Sequence, residues 1–139
     1  MTSKKQKPQP KPASGVDESL KRPGGLSYLE IPATDIRQSA AFYKAVLGWK
    51  IHGNDPEPSK FSDRTGHLIG RWVTSRAAGR KLGMLPYYYV DRIDACVKTA
   101  ASLGGEIIKS PTPEGDIFVA IVRDPAGNVI GLWQEAGND

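Results

Sequence analysis

The side chains of this 139-residue sequence that could do chemistry together are one glutamate and a set of aromatics. Glu30 belongs to an alternating run, Leu26 to Ile31, with Leu26, Tyr28 and Glu30 on one face and Ser27, Leu29 and Ile31 on the other. Tyr87 and Tyr89 alternate in the same way within Leu85 to Val90, and Trp72 and Trp133 lie in two later apolar runs. Gathered around one cavity, the rings would bury flat or aliphatic surface, while the tyrosine hydroxyls and the carboxylate would supply directional contacts. Desolvation there would weaken the acidity of Glu30 and suit it to general-base work. The competing reading makes Glu30 an anchor for a donor or the partner of an arginine or tyrosine, with Arg123 a candidate.

Other chemistry has less support. His52 and His67 with Glu30 would make a two-histidine, one-carboxylate metal set, but their spacing matches no local zinc motif. Both histidines read as surface or edge residues, one beside a polar loop and one opening a strand. Cys96 falls on the apolar face of a helical run with no charge-rich motif around it, and reads as an inert core thiol. Glu114-Gly115-Asp116, in a loop opened by Pro111 and Pro113, reads as a turn or a cavity rim. No phosphate-cradling glycine loop and no nucleophile elbow is present, which speaks against nucleotide hydrolysis and serine-esterase chemistry.

The elements that must position these residues repeat once along the chain. Pro32 ends the first strand, Asp35 with Gln38 forms a capping-box pattern, and Ile36, Ala40, Tyr43 and Leu47 recur at helical spacing before Gly48. Short strands follow at 49–52, around Phe61 and over 67–74, with a polar loop at Asp55, Pro56 and Pro58. In the second half, Leu85 to Val90 is a strand and Asp91 the expected N-cap. Ile93, Cys96, Val97, Ala100 and Leu103 line one helix face, and Gly104-Gly105 stops the helix. Strands at 117–123 and 128–134 flank Asp124-Pro125-Ala126-Gly127, a type I turn pattern. Val46 to Ile51 answers Ser102 to Ile107 at an offset of 56, and Leu68 to Trp72 answers Val129 to Trp133 at 61. Two ordered matches of this kind indicate an internal duplication.

Glu30-Ile31-Pro32-Ala33, the run Ala41-Phe42-Tyr43 to Leu47-Gly48-Trp49, and Asp124-Pro125-Ala126-Gly127-Asn128 through Gly131-Leu132-Trp133-Gln134 together resemble the glyoxalase, bleomycin-resistance and extradiol-dioxygenase superfamily. The resemblance implies an α+β fold of two tandem βαβββ modules, about 26–76 and 84–135, forming a curled mixed sheet or U-shaped half barrel with helices outside. It also implies a catalytic metal held from the first and last strands of each half. Tyr28 and Leu85 stand at the first-strand positions and Gly70 and Gly131 at the last-strand positions, and none is a usual ligand. Tyr28, Glu30, Trp72, Tyr87, Tyr89 and Trp133 then fall on the faces that carry ligands in metal-bearing relatives. Two function classes stay open. One is metal-free binding of a small, partly aromatic molecule by a homodimer. The other is a glyoxalase-like lyase, isomerase or dioxygenase using Glu30 or tyrosine acid-base chemistry, or a divalent metal (Zn, Ni, Fe or Mn) on unconventional ligands.

Charge and composition set the surroundings. Met1 to Gly25 carries six Lys and Arg against two acids, so 6 − 2 = +4 accounts for the whole net charge and leaves 13 − 13 = 0 for the rest. A neutral body argues against nucleic-acid recognition, and the Pro/Lys-rich segment 1–25 reads as a disordered tail before one domain over 26–139. No apolar run is long enough for a membrane span, no signal-peptide core opens the sequence, and one cysteine cannot close an intrachain disulfide. The expected compartment is the cytoplasm.

Overall fold

The structure, a computed structural model, describes residues 17–23, 25–53, 58–79 and 83–137. The first module contains β1 (Tyr28–Pro32), α1 (Ile36–Leu47), β2 (Lys50–His52), β3 (Lys60–Ser62) and β4 (Ile69–Val73). The second contains β5 (Tyr87–Tyr89), α2 (Ile93–Ser102), β6 (Glu106–Glu114), β7 (Ile117–Arg123) and β8 (Val129–Glu135). Each module makes one four-stranded mixed sheet, in the orders β1-β4-β3-β2 and β5-β8-β7-β6, with first and last strands parallel and the hairpins antiparallel. The expected α+β architecture of two βαβββ modules is present.

Local chemistry explains the helix ends. The Asp35 carboxylate accepts from the Gln38 backbone N–H at 3.2 Å, and Gly48 ends α1 at φ 73°, where a side chain would be strained. The expected N-cap of α2, Asp91, lies too early for a helix that begins at Ile93. Arg92 takes the cap position without a side-chain bond, and the buried Gln134 of β8 reaches across to accept from the Ile93 N–H at 2.7 Å. β6 went unread in the sequence because Pro111 and Pro113 lie within it. As an edge strand with register shifts it tolerates both.

The register corrects the match between the halves. Backbone bonds from Ala33 to the Val73 carbonyl (2.8 Å) and from Val90 to the Trp133 carbonyl (2.9 Å) are equivalent, and fix the superposition. Glu30, paired with Arg71, corresponds to Tyr87, paired with Gly131. Gly70 therefore does not correspond to Gly131. The cause is the turn: six residues, 63–68, separate the paired Ser62 and Ile69, whereas five, 124–128, separate Arg123 and Val129. One extra residue reverses which side chains face which way along β4.

A single core joins the modules. Its first half is aromatic: Trp49 stacks between Tyr43 (4.8 Å) and Phe61 (4.5 Å), and Trp72 packs on Phe61 at 4.8 Å. Its second half is aliphatic, built on Val97, Ala100, Ala120, Val122, Ile130 and Leu132. Polar bonds cross the junction. The Tyr43 hydroxyl donates to Asp124 at 2.8 Å, and the Asn128 amide donates to the Pro32 carbonyl at 2.7 Å, so the second hairpin turn is fastened to α1 and β1 of the same chain.

Part of the expected tail, 17–23, is described in the structure. Residues 1–16 lie outside the described residues, as does the loop at Asp55 and Pro56. A short 3-10 turn, Glu18–Leu20, docks on the first hairpin: the Ser19 hydroxyl donates to the Gly66 carbonyl at 2.9 Å, and the Ser19 carbonyl meets His67 Nδ1 at 3.0 Å. A defined turn with contacts to the domain thus lies ahead of the expected boundary at Leu26.

Candidate functional site

Strand alternation divides each sheet into a helix-covered face and an open one. On the first sheet the open face carries Tyr28, Glu30, Arg71 and, in register with Arg71, Lys60. On the second it carries Tyr87, Tyr89 and Trp133, with Val119 beneath. Tyr28, Tyr87 and Tyr89 are about half exposed, at 50%, 46% and 49%. Tyr89 and Trp133 meet edge to face at 4.9 Å, and a hollow of about 460 Å³ opens between Tyr87, Trp133, Val119, Ile117 and Glu114. A second space of about 220 Å³ lies between β1 and the approach to β5, walled by Glu30 and Pro32 on one side and by Met84, Pro86 and Val129 on the other.

Trp72, expected with this group, is elsewhere. It pairs with Ile31 on the helix-covered face, is 2% exposed and belongs to the aromatic core. The slip in register that moved Gly70 also moved Trp72, bringing Arg71 outward in its place. Leu85 is half-buried and precedes β5, which begins two residues later than expected.

Glu30 is not the weak acid that desolvation alone would make it. Arg76 Nη2 lies 2.9 Å from its Oε1, and Arg71 reaches Oε2 with Nη2 at 3.2 Å and Nε at 3.3 Å. The Arg76 hydrogen bond, supported by Arg71, outweighs a modest desolvation and holds the carboxyl below its usual range. A carboxylate clamped by two guanidinium groups is a poor proton acceptor and a good anchor. Arg123 is not its partner: Arg123 Nε pairs with Glu106 at 3.4 Å, and its Nη1 donates to the Gly127 carbonyl at 3.1 Å.

The remaining candidates do not converge. His52 is exposed at the far edge of the same open face, in register with Lys60, and meets the Ser62 hydroxyl at 2.9 Å, while His67 holds the N-terminal turn. No group of three or more His, Cys, Asp or Glu side chains converges among the described residues. The half-buried Cys96 thiol points at the Val46 carbonyl at 3.6 Å, and burial pushes it above its usual range. Glu114 closes β6 before a turn in which Gly115 has φ 59°, and its carboxylate binds Lys109 at 3.0 Å.

The family model of the glyoxalase/bleomycin resistance protein/dioxygenase superfamily matches residues 25–132. The chain belongs to this superfamily. It is 27% identical over 123 residues to CFP32 of Mycobacterium bovis, which carries a provisional glyoxylase name, and 24% identical over 134 residues to the anthracycline biosynthesis protein DnrV of Streptomyces peucetius. These matches cover 81% of the chain but 46% and 48% of the two relatives, so the chain spans about half the length of the curated proteins it matches. The crystal structure of a superfamily enzyme from Burkholderia phytofirmans is similar with a TM-score of 0.59 and 25% identity, over 78% of this chain and 97% of that one.

The residues at the superfamily's metal-ligand positions differ in kind from metal ligands. On the last strand of the first module, the register puts Arg71 on the open face, a cation already bound to Glu30. In the second module, Gly131 offers no donor, and a β-carbon there would fall within the ring of Tyr87, which lies over the glycine. Tyr28 and Leu85 add no imidazole or carboxylate. This donor set does not fit a divalent ion. The side chains that sequence reasoning missed are Lys60, Arg71 and Arg76: the facing of Arg71 depends on the length of one turn, and Arg76 reaches Glu30 from beyond the end of β4.

Proposed function

We propose that this superfamily member binds a small, partly aromatic molecule on its open sheet faces without a resident catalytic metal. The observation that carries the proposal is the replacement of the expected ligand positions by an ion pair in one module and a ring packed over glycine in the other. Half-exposed rings of Tyr87 and Tyr89 beside Trp133 supply the flat apolar surface that such a molecule needs. The anthracycline-pathway name of DnrV agrees with a polycyclic guest, although this chain spans only part of that relative.

Elemental analysis of the purified, tag-free protein tests the metal-free half of the proposal, with divalent-ion titration followed by melting temperature as a second reading. The expected result is a metal content far below one per chain and no thermal shift. A stoichiometric metal with a large shift would overturn it and direct the search to lyase, isomerase and dioxygenase substrates.

A further inference from the structure

We infer that the molecule bound here is an aromatic carboxylate, received by the Arg71, Arg76 and Lys60 face of the first module while its ring rests on the tyrosine and tryptophan face of the second. The inference rests on the binding function proposed above and names the chemical class of its ligand.

The two modules are pseudo-symmetric but not chemically equal. At equivalent pairs of positions, one module has Glu30 beside Arg71 and the other has Tyr87 over Gly131. One half is therefore charged where the other is aromatic. Two guanidinium groups bind one carboxylate, and Lys60 lies in register beside Arg71 on the same exposed face, so (2 + 1) − 1 leaves an excess of two positive charges among these four side chains, in a body over 26–139 whose overall charge is zero. Both arginines remain half exposed, at 51% and 55%, while Glu30 is 30% exposed.

Glu30 contacts only part of each planar fork. Arg76 gives it Nη2, and Arg71 gives it Nε and Nη2, which among the described residues leaves Nη1 of Arg71 and two nitrogens of Arg76 for an incoming oxyanion. Glu30 thus holds the two guanidinium groups in place and is the carboxylate that a ligand must partly displace or share. The 220 Å³ space that Glu30 borders is also walled by Met84, Pro86 and Val129, which gives the charged face an apolar border on the side of the second module. A cation at these positions takes the electrostatic part that a metal ion would take, but it recognises a carboxylate by hydrogen bonds rather than by coordination.

The test uses the full chain and matched probes, 2-naphthoate and its neutral isostere 2-naphthamide, titrated by intrinsic tryptophan fluorescence and checked by calorimetry. Naphthoate should bind about tenfold more tightly than the amide at low salt, with the preference shrinking in 0.5 M salt, as charge-assisted bonds at a surface require. Arg71→Gln and Arg76→Gln should each bring the acid-to-amide ratio toward unity. Glu30→Gln, which removes the competing carboxylate, should raise it. Circular dichroism of each variant confirms that the fold survives. Equal affinity for acid and amide in the unmodified protein, or a ratio unmoved by Arg71→Gln in a folded variant, overturns the carboxylate assignment and leaves the aromatic pocket standing. Binding of neither probe overturns both, and Tyr87→Ala separates the two readings because it should weaken acid and amide alike.

Discussion

Replacing Tyr43 by phenylalanine removes one oxygen from the centre of the molecule and tests how the modules are joined. The ring is fully buried and stays packed between Phe42 and Trp49, so the change in volume is small and the effect isolates the hydroxyl. That hydroxyl donates at 2.8 Å to Asp124, which is 2% exposed. A hydrogen bond to a charged acceptor contributes about 1.5–3 kcal/mol. Asp124 keeps the Asn128 amide at 2.7 Å and the N–H groups of Ala126 and Asn128 at 3.0 and 2.8 Å, so the carboxylate is not orphaned. The expected loss therefore lies near the lower end, about 1.5–2 kcal/mol, or a melting temperature lower by about 4–10 °C for a domain of this size. Urea denaturation should show a lower midpoint with an unchanged slope, as for a mutation that leaves the exposed area alone. In an Asp124→Asn background the same substitution should cost much less, because the two groups share one interaction. A loss below about 0.5 kcal/mol would refute the reasoning and mean that the second hairpin turn is held to α1 by apolar packing alone.

Four further outcomes follow from the same geometry. Burial raises the Asp124 carboxyl above its ordinary range despite four donors. A carboxyl raised by folding contributes stability that is full below its unfolded value and is lost as pH rises through the folded one. The stability of the wild type relative to Asp124→Asn should thus fall in denaturation curves as pH rises above about 4, the ordinary aspartate value. Gly70→Ala should cost about 2 kcal/mol or more, since a β-carbon there meets the Leu29 carbonyl and the Phe61 ring inside the core. Gly131→Ala should cost less than about 1 kcal/mol, because the half-exposed Tyr87 ring can swing aside; denaturant titration of both compares a backbone obstacle with a movable one. Cys96, half-buried and raised in pKa, should react with a thiol reagent at pH 7.5 more than about tenfold slower than in the urea-unfolded chain, and equal rates would show an open thiol.

The sequence exposed the architecture more readily than the site. Helical spacing from Ile36 to Leu47, the Asp35 cap and the Asp124-Pro125-Ala126-Gly127 turn are local signals, and each appears where its chemistry requires. The duplication was also legible, because both halves repeat the same order of signals. β6 was lost because two prolines argue against a strand unless it is known to lie at a sheet edge, and edge position is a tertiary fact. The site depended on facing direction, which changes with every residue of register. Tyr28, Glu30, Tyr87, Tyr89 and Trp133 fall on the open faces because their runs are anchored to well-marked neighbours. Trp72 was misplaced because Leu68-Ile69-Gly70 resembles Val129-Ile130-Gly131 so closely that the longer turn before it is hidden. The arginine partners of Glu30 lie 41 and 46 residues away, beyond the reach of any local pattern.

That longer turn makes the duplicated halves unequal in a way that substitution alone could not. Adding a residue between Asp63 and Leu68 leaves the hairpin closed by a backbone bond of 2.9 Å, so the backbone is little disturbed while every later position on the strand changes its audience. A glycine that would have looked into the cavity becomes a spacer in the core, and a tryptophan and an arginine exchange sides in the same event. Small insertions in the turns of duplicated sheets are therefore a route by which a scaffold can exchange one set of binding groups for another in a single genetic step. For the engineer the same route runs backward: shortening this turn by one residue, with Trp72 and Arg71 transposed to match, would return the first module to the register of the second and open its last strand to a designed ligand.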